Sequence, residues 1–462
     1  MFLWFPRHFV TCCWTVVAVL HVTLISPTTA ENSNGNVDVD VDAADDQQLI
    51  KSMIDWAKSN GALIHENIET RQIEGELSGI FAKADIPAGT VISEIPWNLI
   101  LQAKAPPSSK DTDDDERLWC ETVWTVYESI TKPWESDENE NEYTPTTVAT
   151  PYEKYLSKRT SRKYYPAFWS QAGRDAFRDL LGKAMPTFNS HSMLHGWWYR
   201  ECFNYQPRNY DTIGNVPMND ERVLDALYLV MTRAEGVDAN HMIPFHDLIN
   251  HRNGDQYINT EAVRNDEQNY QLVTTRLVRR GEQLQESYNQ CRWCKIYTNP
   301  DHERGYIVTP QLYEQYGFIE SYPQRWVVPG VRLLFDIEEE EDREDEKEDD
   351  TTTVAKTTTT KRRHVNFVFP PSEKATAFLL KEIVRLANFE ATYGQYEEKE
   401  TDSPIPAHEM DAIWNLHESI LSAFTLAYGS ATGQTSEDVW DLGEYWYWEG
   451  ELPEDDDDSS EL

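Results

Sequence analysis

The run Met242-Ile243-Pro244-Phe245 is apolar and leads straight into Asp247, Asn250 and His251, with Leu248 and Ile249 between them. Amides and imidazoles at the end of an apolar segment are costly to bury unless something satisfies them. Either the protein satisfies Asn250 and His251 itself, or a polar ligand does. Arg233, in VMTRAE, taken alone reads as a surface arginine at a helix end. Cys291 and Cys294, in CRWC, have the spacing of half a zinc site or of a redox pair, but no second Cys-x-x-Cys accompanies them.

Several elements must hold these residues in place. The stretch 219–236 reads as a helix, capped by Asn219 or Asp220, with Leu224, Leu227, Tyr228 and Met231 on one face. The stretch 270–290 alternates like a pair of strands joined at Arg280-Gly281-Glu282, and LYEQYGFIE (312–320) closes the block. Upstream, 49–62 has helical spacing and ends near Gly61. Residues 80–102 alternate as short antiparallel strands with a turn at Pro87-Ala88-Gly89. The region after Lys104 reads as helical and inserted, with 118–130 an amphipathic helix. Beyond an apolar stretch from Trp326 to Phe335 and a solvated insertion at 337–364, two long helical patterns form a separate module.

The net charge of -39 sits in blocks at 31–46, 111–116, 135–142, 337–350 and 454–462. Such blocks are solvated and disordered, or they attract basic protein substrates. The same field repels phosphate backbones, so nucleic acid is not an expected partner. The N-terminus reads as a signal peptide: Arg7 and His8, an apolar run at 9–25, then small residues ending at Ala30. That reading places the chain in the secretory pathway, in the endoplasmic reticulum lumen or secreted. An uncleaved anchor in the membrane is the alternative. Cys120, Cys202, Cys291 and Cys294 remain after cleavage and could form two disulfides there.

The succession GIFAKADIPAGTVISEIP, PYEKYL, YPAFWS, VMTRAE, DLINH, RRGEQLQESY, YGFIE resembles the SET-domain methyltransferases. Within them it is similar to the class typified by the Rubisco large-subunit lysine methyltransferase and the actin-histidine methyltransferase. The resemblance implies an α+β fold: a SET β-fold with a pseudoknot, interrupted by a helical insert and followed by a helical substrate-binding-like domain. The corresponding divisions are a signal peptide (1–30), an acidic linker (31–48), the first SET part (49–104), the insert (105–218), the second SET part (219–320), the C-terminal helical domain (321–453) and an acidic tail (454–462).

The resemblance further implies S-adenosyl-L-methionine (AdoMet) as methyl donor and a protein side chain as acceptor. Lysine is the expected acceptor, histidine the alternative, and a catalytically idle SET scaffold the reading of another class. Asn250 and His251 match the family's Asn-His pair, Arg233 the arginine near the cofactor's carboxylate, and Gly79 and Phe81 the turn that approaches the cofactor. Tyr288 matches the catalytic tyrosine, while Tyr316 and Tyr257 match tyrosines lining the acceptor channel, with Tyr270 a rival to Tyr257. Asp247 is expected to brace the Asn-His wall from within the fold. Leu77 stands where the family has the first glycine of Gly-x-Gly, and residues 291–311 (CRWCKIYTNPDHERGYIVTPQ) intervene where the family has a short loop. The resemblance implies no metal and a monomer.

Overall fold

The computed structural model describes residues 43–73, 78–102, 113–132, 148–159, 165–182, 202, 221–235, 241–254, 256–264, 269–288, 308–341, 361–394 and 403–435. The chain divides into two units, residues 1–34 and 35–462; all described residues lie in the second. No helix among them is long and apolar enough to cross a membrane. The apolar run at 9–25, Leu77 and the CRWC segment lie outside the described residues.

The architecture is α+β with a helical C-terminal region. Helix α1 (Ala43–Ser59) leads into β1 (Leu63–Ile64), β2 (Ile68–Arg71), β3 (Gly79–Ala82), β4 (Val91–Ile95) and β5 (Leu101–Gln102). Helices α2 (Asp113–Thr131), α3 (Pro151–Ser157), α4 (Gln171–Leu181) and α5 (Glu221–Arg233) follow. The chain then returns to strands: β6 (His241–Met242), β7 (Asn250–His251), β8 (Thr260–Arg264), β9 (Tyr270–Thr274) and β10 (Gln285–Glu286). Strands β1, β4, β9 and β8 form one antiparallel sheet in that order. Strands β7 and β10 pair in parallel, Asn250 opposite Gln285 and His251 opposite Glu286; every other named strand pair among the described residues is antiparallel.

Residues 270–290 are not the hairpin that their alternation predicts. Strand β9 joins β4 and β8, and the segment beyond it crosses to residues 80–86. There Val278 exchanges backbone hydrogen bonds with Ile86, and the Leu284 amide donates to Ile80. Alternation marks a half-buried strand without naming its partner.

A second apolar core sits around α6 (Thr309–Tyr316), a sheet of β11 (Gln324–Val328), β12 (Leu333–Glu341) and β13 (Lys361–Phe367), and the helices α7 (Glu373–Tyr393) and α8 (Ala407–Thr432). The C-terminal region therefore opens on a three-stranded sheet, a feature its expected all-helical character omits. Both described ends of the stretch 337–364, expected as a solvated insertion, are strand. Glu338 to Glu341 of β12 stand in register with His364, Arg363, Arg362 and Lys361 of β13, and Arg363 pairs with Glu339 at 3.3 Å, so the hairpin runs into the acidic block. The acidic linker ends earlier than residue 48, since α1 begins at Ala43. Its Asp46 is buried in an ion pair with Arg159 at 2.8 Å.

The insert is shared between the two cores. Helices α2 and α3 pack in the first, whereas Ala176, Phe177, Leu180 and Leu181 of α4 pack in the second. Ser170 caps α4 and is held by Glu409 of α8: its amide and hydroxyl donate to the two carboxylate oxygens at 2.7 and 2.6 Å. Cys120 of α2 and Cys202 form a disulfide in the first core.

Candidate active site

The Asn-His segment is entered through Phe245, a buried non-glycine residue at φ 75°. Left-handed backbone at a bulky residue is a strained state that only surrounding structure can enforce. One 3₁₀ turn (His246–Leu248) follows, and then β7 lays Asn250 and His251 beside β10. Gly79 lies against this pair. A Cβ placed on it would stand 2.5 Å from Gln283 Nε2 and 3.1 Å from Asn250 Nδ2, so any larger residue would have to displace the tips of these two side chains. Phe81, two residues on, bridges to Gln283 and has the Arg71 guanidinium 4.8 Å from its ring centre.

His251 is fixed at both ring nitrogens. The Tyr288 amide donates to Nδ1 at 2.9 Å, so Nδ1 is the acceptor and Nε2 carries the hydrogen. Nε2 lies 3.1 Å from the fully buried carboxylate of Glu320, which also accepts from the Asn253 amide and the Thr309 hydroxyl. Glu320 closes YGFIE; the motif is visible in the sequence, but nothing in its spacing announces this role.

The Tyr288 hydroxyl donates to the Ile249 carbonyl at 2.7 Å. Its ring stands 5.1 Å from His251 and 5.0 Å from Tyr316, which ends α6 where Gly317 turns the chain at φ 75°. Both tyrosines are partly exposed, so the pair lines an open wall. Burial first, then the carboxylates of Glu286 and Glu235, push both hydroxyls above the usual tyrosine range and keep them protonated. The Arg252 guanidinium covers the Tyr257 ring at 3.6 Å. Its rival, Tyr270, packs edge-on against His246 at 5.6 Å.

Arg233, the last residue of α5, donates to the Asp247 carbonyl at 3.3 Å. Asp247 in turn accepts from the Tyr152 hydroxyl at 2.9 Å, and burial raises its carboxyl to about 6 against the opposing pull of Arg233. Tyr152 belongs to PYEKYL, a motif quoted from the sequence whose contact with Asp247 spacing does not reveal. Arg233 Nε, His246 Nε2, Asp247 Oδ1 and Gln283 Nε2 are among the buried polar atoms of the described residues that have no hydrogen-bond partner. Such orphans are what a polar ligand, seated between the arginine and the Gly79 strand, would satisfy.

The structure thus brings Gly79, Asn250, His251, Tyr288 and Tyr316 together, with Arg233 joined through Asp247. It places Phe81 on the Gly79 strand and Tyr257 under the Arg252 guanidinium. A further cluster that the sequence reading did not single out, Glu235, His246 and Glu286, stands beside these residues.

Residues 78–289 match the family model of the SET domain. No curated protein matches the chain. Among solved structures, one of the SET domain of LSMT bound to lysine and AdoHcy is similar at 13% identity, with a TM-score of 0.44 over 87% of this chain and 92% of that one. Rubisco LSMT bound to AdoMet is similar at 14% identity, with a TM-score of 0.42 over 87% of this chain and 92% of that one. Rubisco LSMT bound to sinefungin and monomethyllysine is similar at 14% identity, with a TM-score of 0.45 over 88% and 97%.

Proposed function

The chain carries a SET domain, and from that premise we propose that it is an AdoMet-dependent protein methyltransferase with lysine as acceptor. AdoMet fits the residues present. Arg233, with an unpartnered Nε, would hold the cofactor's carboxylate, and the Gly79 strand and the Asn250-His251 segment would hold its body. When bound, AdoMet supplies a methyl group on a sulfonium, an electrophile that needs no further activation.

The chain's own work is to prepare and aim the nucleophile. A lysine ammonium has an ordinary pKa of about 10.4 and must shed its proton to offer a lone pair. Half-buried tyrosine rings remove water from the amine, which favours its neutral form. The Tyr288 hydroxyl hydrogen is committed to the Ile249 carbonyl. Its oxygen lone pairs are left to accept an N–H from the neutral amine and so orient the nitrogen's own lone pair. Tyr316, stacked on Tyr288, closes the adjacent side.

The observation that carries this reading is the Tyr288 hydroxyl donating to the Ile249 carbonyl, one residue before the Asn-His pair, while the Tyr288 backbone amide is held by a histidine that is itself locked on Glu320. The acidic surface favours a basic protein as substrate. A secretory location accords with the Cys120–Cys202 disulfide, a bond that persists in oxidising compartments. Incubation of the purified protein with radiolabelled AdoMet and a panel of basic proteins tests the proposal. Label that enters protein and is traced to lysine by fragment mass spectrometry supports it. Label traced to histidine replaces the acceptor, and no AdoMet binding at all leaves the idle-scaffold reading in its place.

A further inference from the structure

Glu235, His246 and Glu286 are not used by the methyl-transfer reading. They come from three separate elements: the end of α5, the turn before β7, and β10. His246 is 4% exposed. Its Nδ1 lies 3.8 Å from Glu235 Oε1 and its Nε2 lies 3.3 Å from Glu286 Oε2. Both separations exceed the roughly 2.7–2.9 Å of a charge-assisted N–H···O bond. Nε2 is buried and has no partner in hydrogen-bond geometry. An imidazole nitrogen sealed in this way is costly unless something is bound to it.

One nitrogen of His246 and one oxygen of each glutamate lie within 4.8 Å of one another. Two ligand atoms at about 2.0–2.2 Å from a shared ion stand roughly 3 Å apart or a little more. The Nε2–Oε2 separation of 3.3 Å has that value. The ring is packed edge-on against Tyr270, so its orientation is set by the core. We propose that Glu235, His246 and Glu286 bind one divalent metal ion. A neutral imidazole and two carboxylates suit ions from manganese to zinc, with water in the remaining positions. The ion would take over the place of the ion pairs that His246 makes with the two carboxylates, beside the Tyr288–Tyr316 wall. This inference does not rest on methyl transfer, and its test reads no activity.

The experiment is a Mn²⁺ titration of the purified, EDTA-stripped protein followed by electron paramagnetic resonance, which separates free from bound ion. The expected result is one ion bound more tightly than the weak, salt-sensitive binding of the acidic segments. His246→Gln and Glu235→Gln should each weaken that ion at least about tenfold. The Glu235 side chain is 32% exposed, so its variant remains informative if His246→Gln fails to fold. Absence of a tight equivalent, or its retention in Glu235→Gln and in any folded His246→Gln protein, would overturn the proposal. Retention that is lost in a Cys291→Ser/Cys294→Ser variant would overturn it equally and move the ion to that cysteine pair.

Discussion

The hydroxyl of Tyr288 sits on the carbonyl of Ile249 at 2.7 Å, while the backbone amide of the same tyrosine sits on His251 Nδ1 at 2.9 Å. One residue is thus tied at two points to the segment that carries the Asn-His pair. Displacing either side moves the other. The orientation of the tyrosine is set by the parallel β7–β10 pairing, not by its own position in sequence.

Gly79→Ala should weaken AdoMet binding and destabilise the fold. The new Cβ would meet Gln283 Nε2 at 2.5 Å and Asn250 Nδ2 at 3.1 Å. Overpacking of this kind costs about 1–3 kcal/mol. Calorimetric titration of AdoMet and urea unfolding measure the two effects. Shortening Gln283 in the double variant Gly79→Ala/Gln283→Ala should recover part of both, and an unchanged affinity in the single variant would remove Gly79 from the cofactor wall.

Glu320→Ala removes the acceptor of the His251 Nε2 hydrogen and the Asn253 amide, while the Thr309 hydroxyl keeps the Arg325 carbonyl at 3.2 Å. Stranding buried groups in this way costs about 1–3 kcal/mol for each one left unpaired. Glu320→Gln keeps an oxygen for one of them and should lose less. The distinguishing readout is the His251 ring: nitrogen chemical shifts should report hydrogen on Nε2 in the native protein and a mixture of tautomers in Glu320→Ala. A native ring with hydrogen on Nδ1 would contradict the account of Tyr288.

Loss of the Cys120–Cys202 bond should lower stability by about 2–4 kcal/mol, since it closes a loop between residues 82 apart. Thiol titration of the unfolded, unreduced protein should find neither sulfur free. The paired Cys120→Ala/Cys202→Ala variant checks the magnitude by urea unfolding. Equal midpoints with and without the bond would show that it contributes nothing.

His417 gives the second core a dependence on pH. Burial lowers its pKa below the ordinary value, and one ring nitrogen lies 2.9 Å from the Leu386 carbonyl. A depressed histidine contributes stability that is present above the unfolded pKa of about 6.5 and is lost as pH falls through the folded value. This contribution falls on going from about pH 7.5 to about pH 5.5, so the urea midpoint of the native protein should shift downward relative to that of His417→Gln over the same interval. A variant with the same slope as the native protein would assign the acid sensitivity elsewhere.

Much of this site was legible in the sequence because its residues sit in runs of recognisable order. Arg233 at a helix end, the Asn-His pair after an apolar lead-in and the tyrosines of LQESY and YGFIE can all be read locally. What joins them is not local. The β7–β10 pairing, the crossing of 278–284 to the Gly79 strand, and the reach of Glu320 back to His251 depend on tertiary topology, which alternation and spacing do not encode. The acidic segments misled at their edges for a related reason. Asp46 and Glu338 to Glu341 read as solvated charge until Arg159 and the basic strand β13 arrive opposite them. Glu235, His246 and Glu286 were invisible because their proximity exists only in the fold.

The most direct test of methyl transfer is mass spectrometry of a basic protein substrate after incubation with AdoMet and the native chain, run beside Tyr288→Phe. The account expects a methyl increment on lysine with the native protein. It expects a loss of about a hundredfold or more when the hydroxyl that orients the amine is removed, with AdoMet binding retained. Equal modification by both proteins, or none by either with AdoMet unbound, would contradict it.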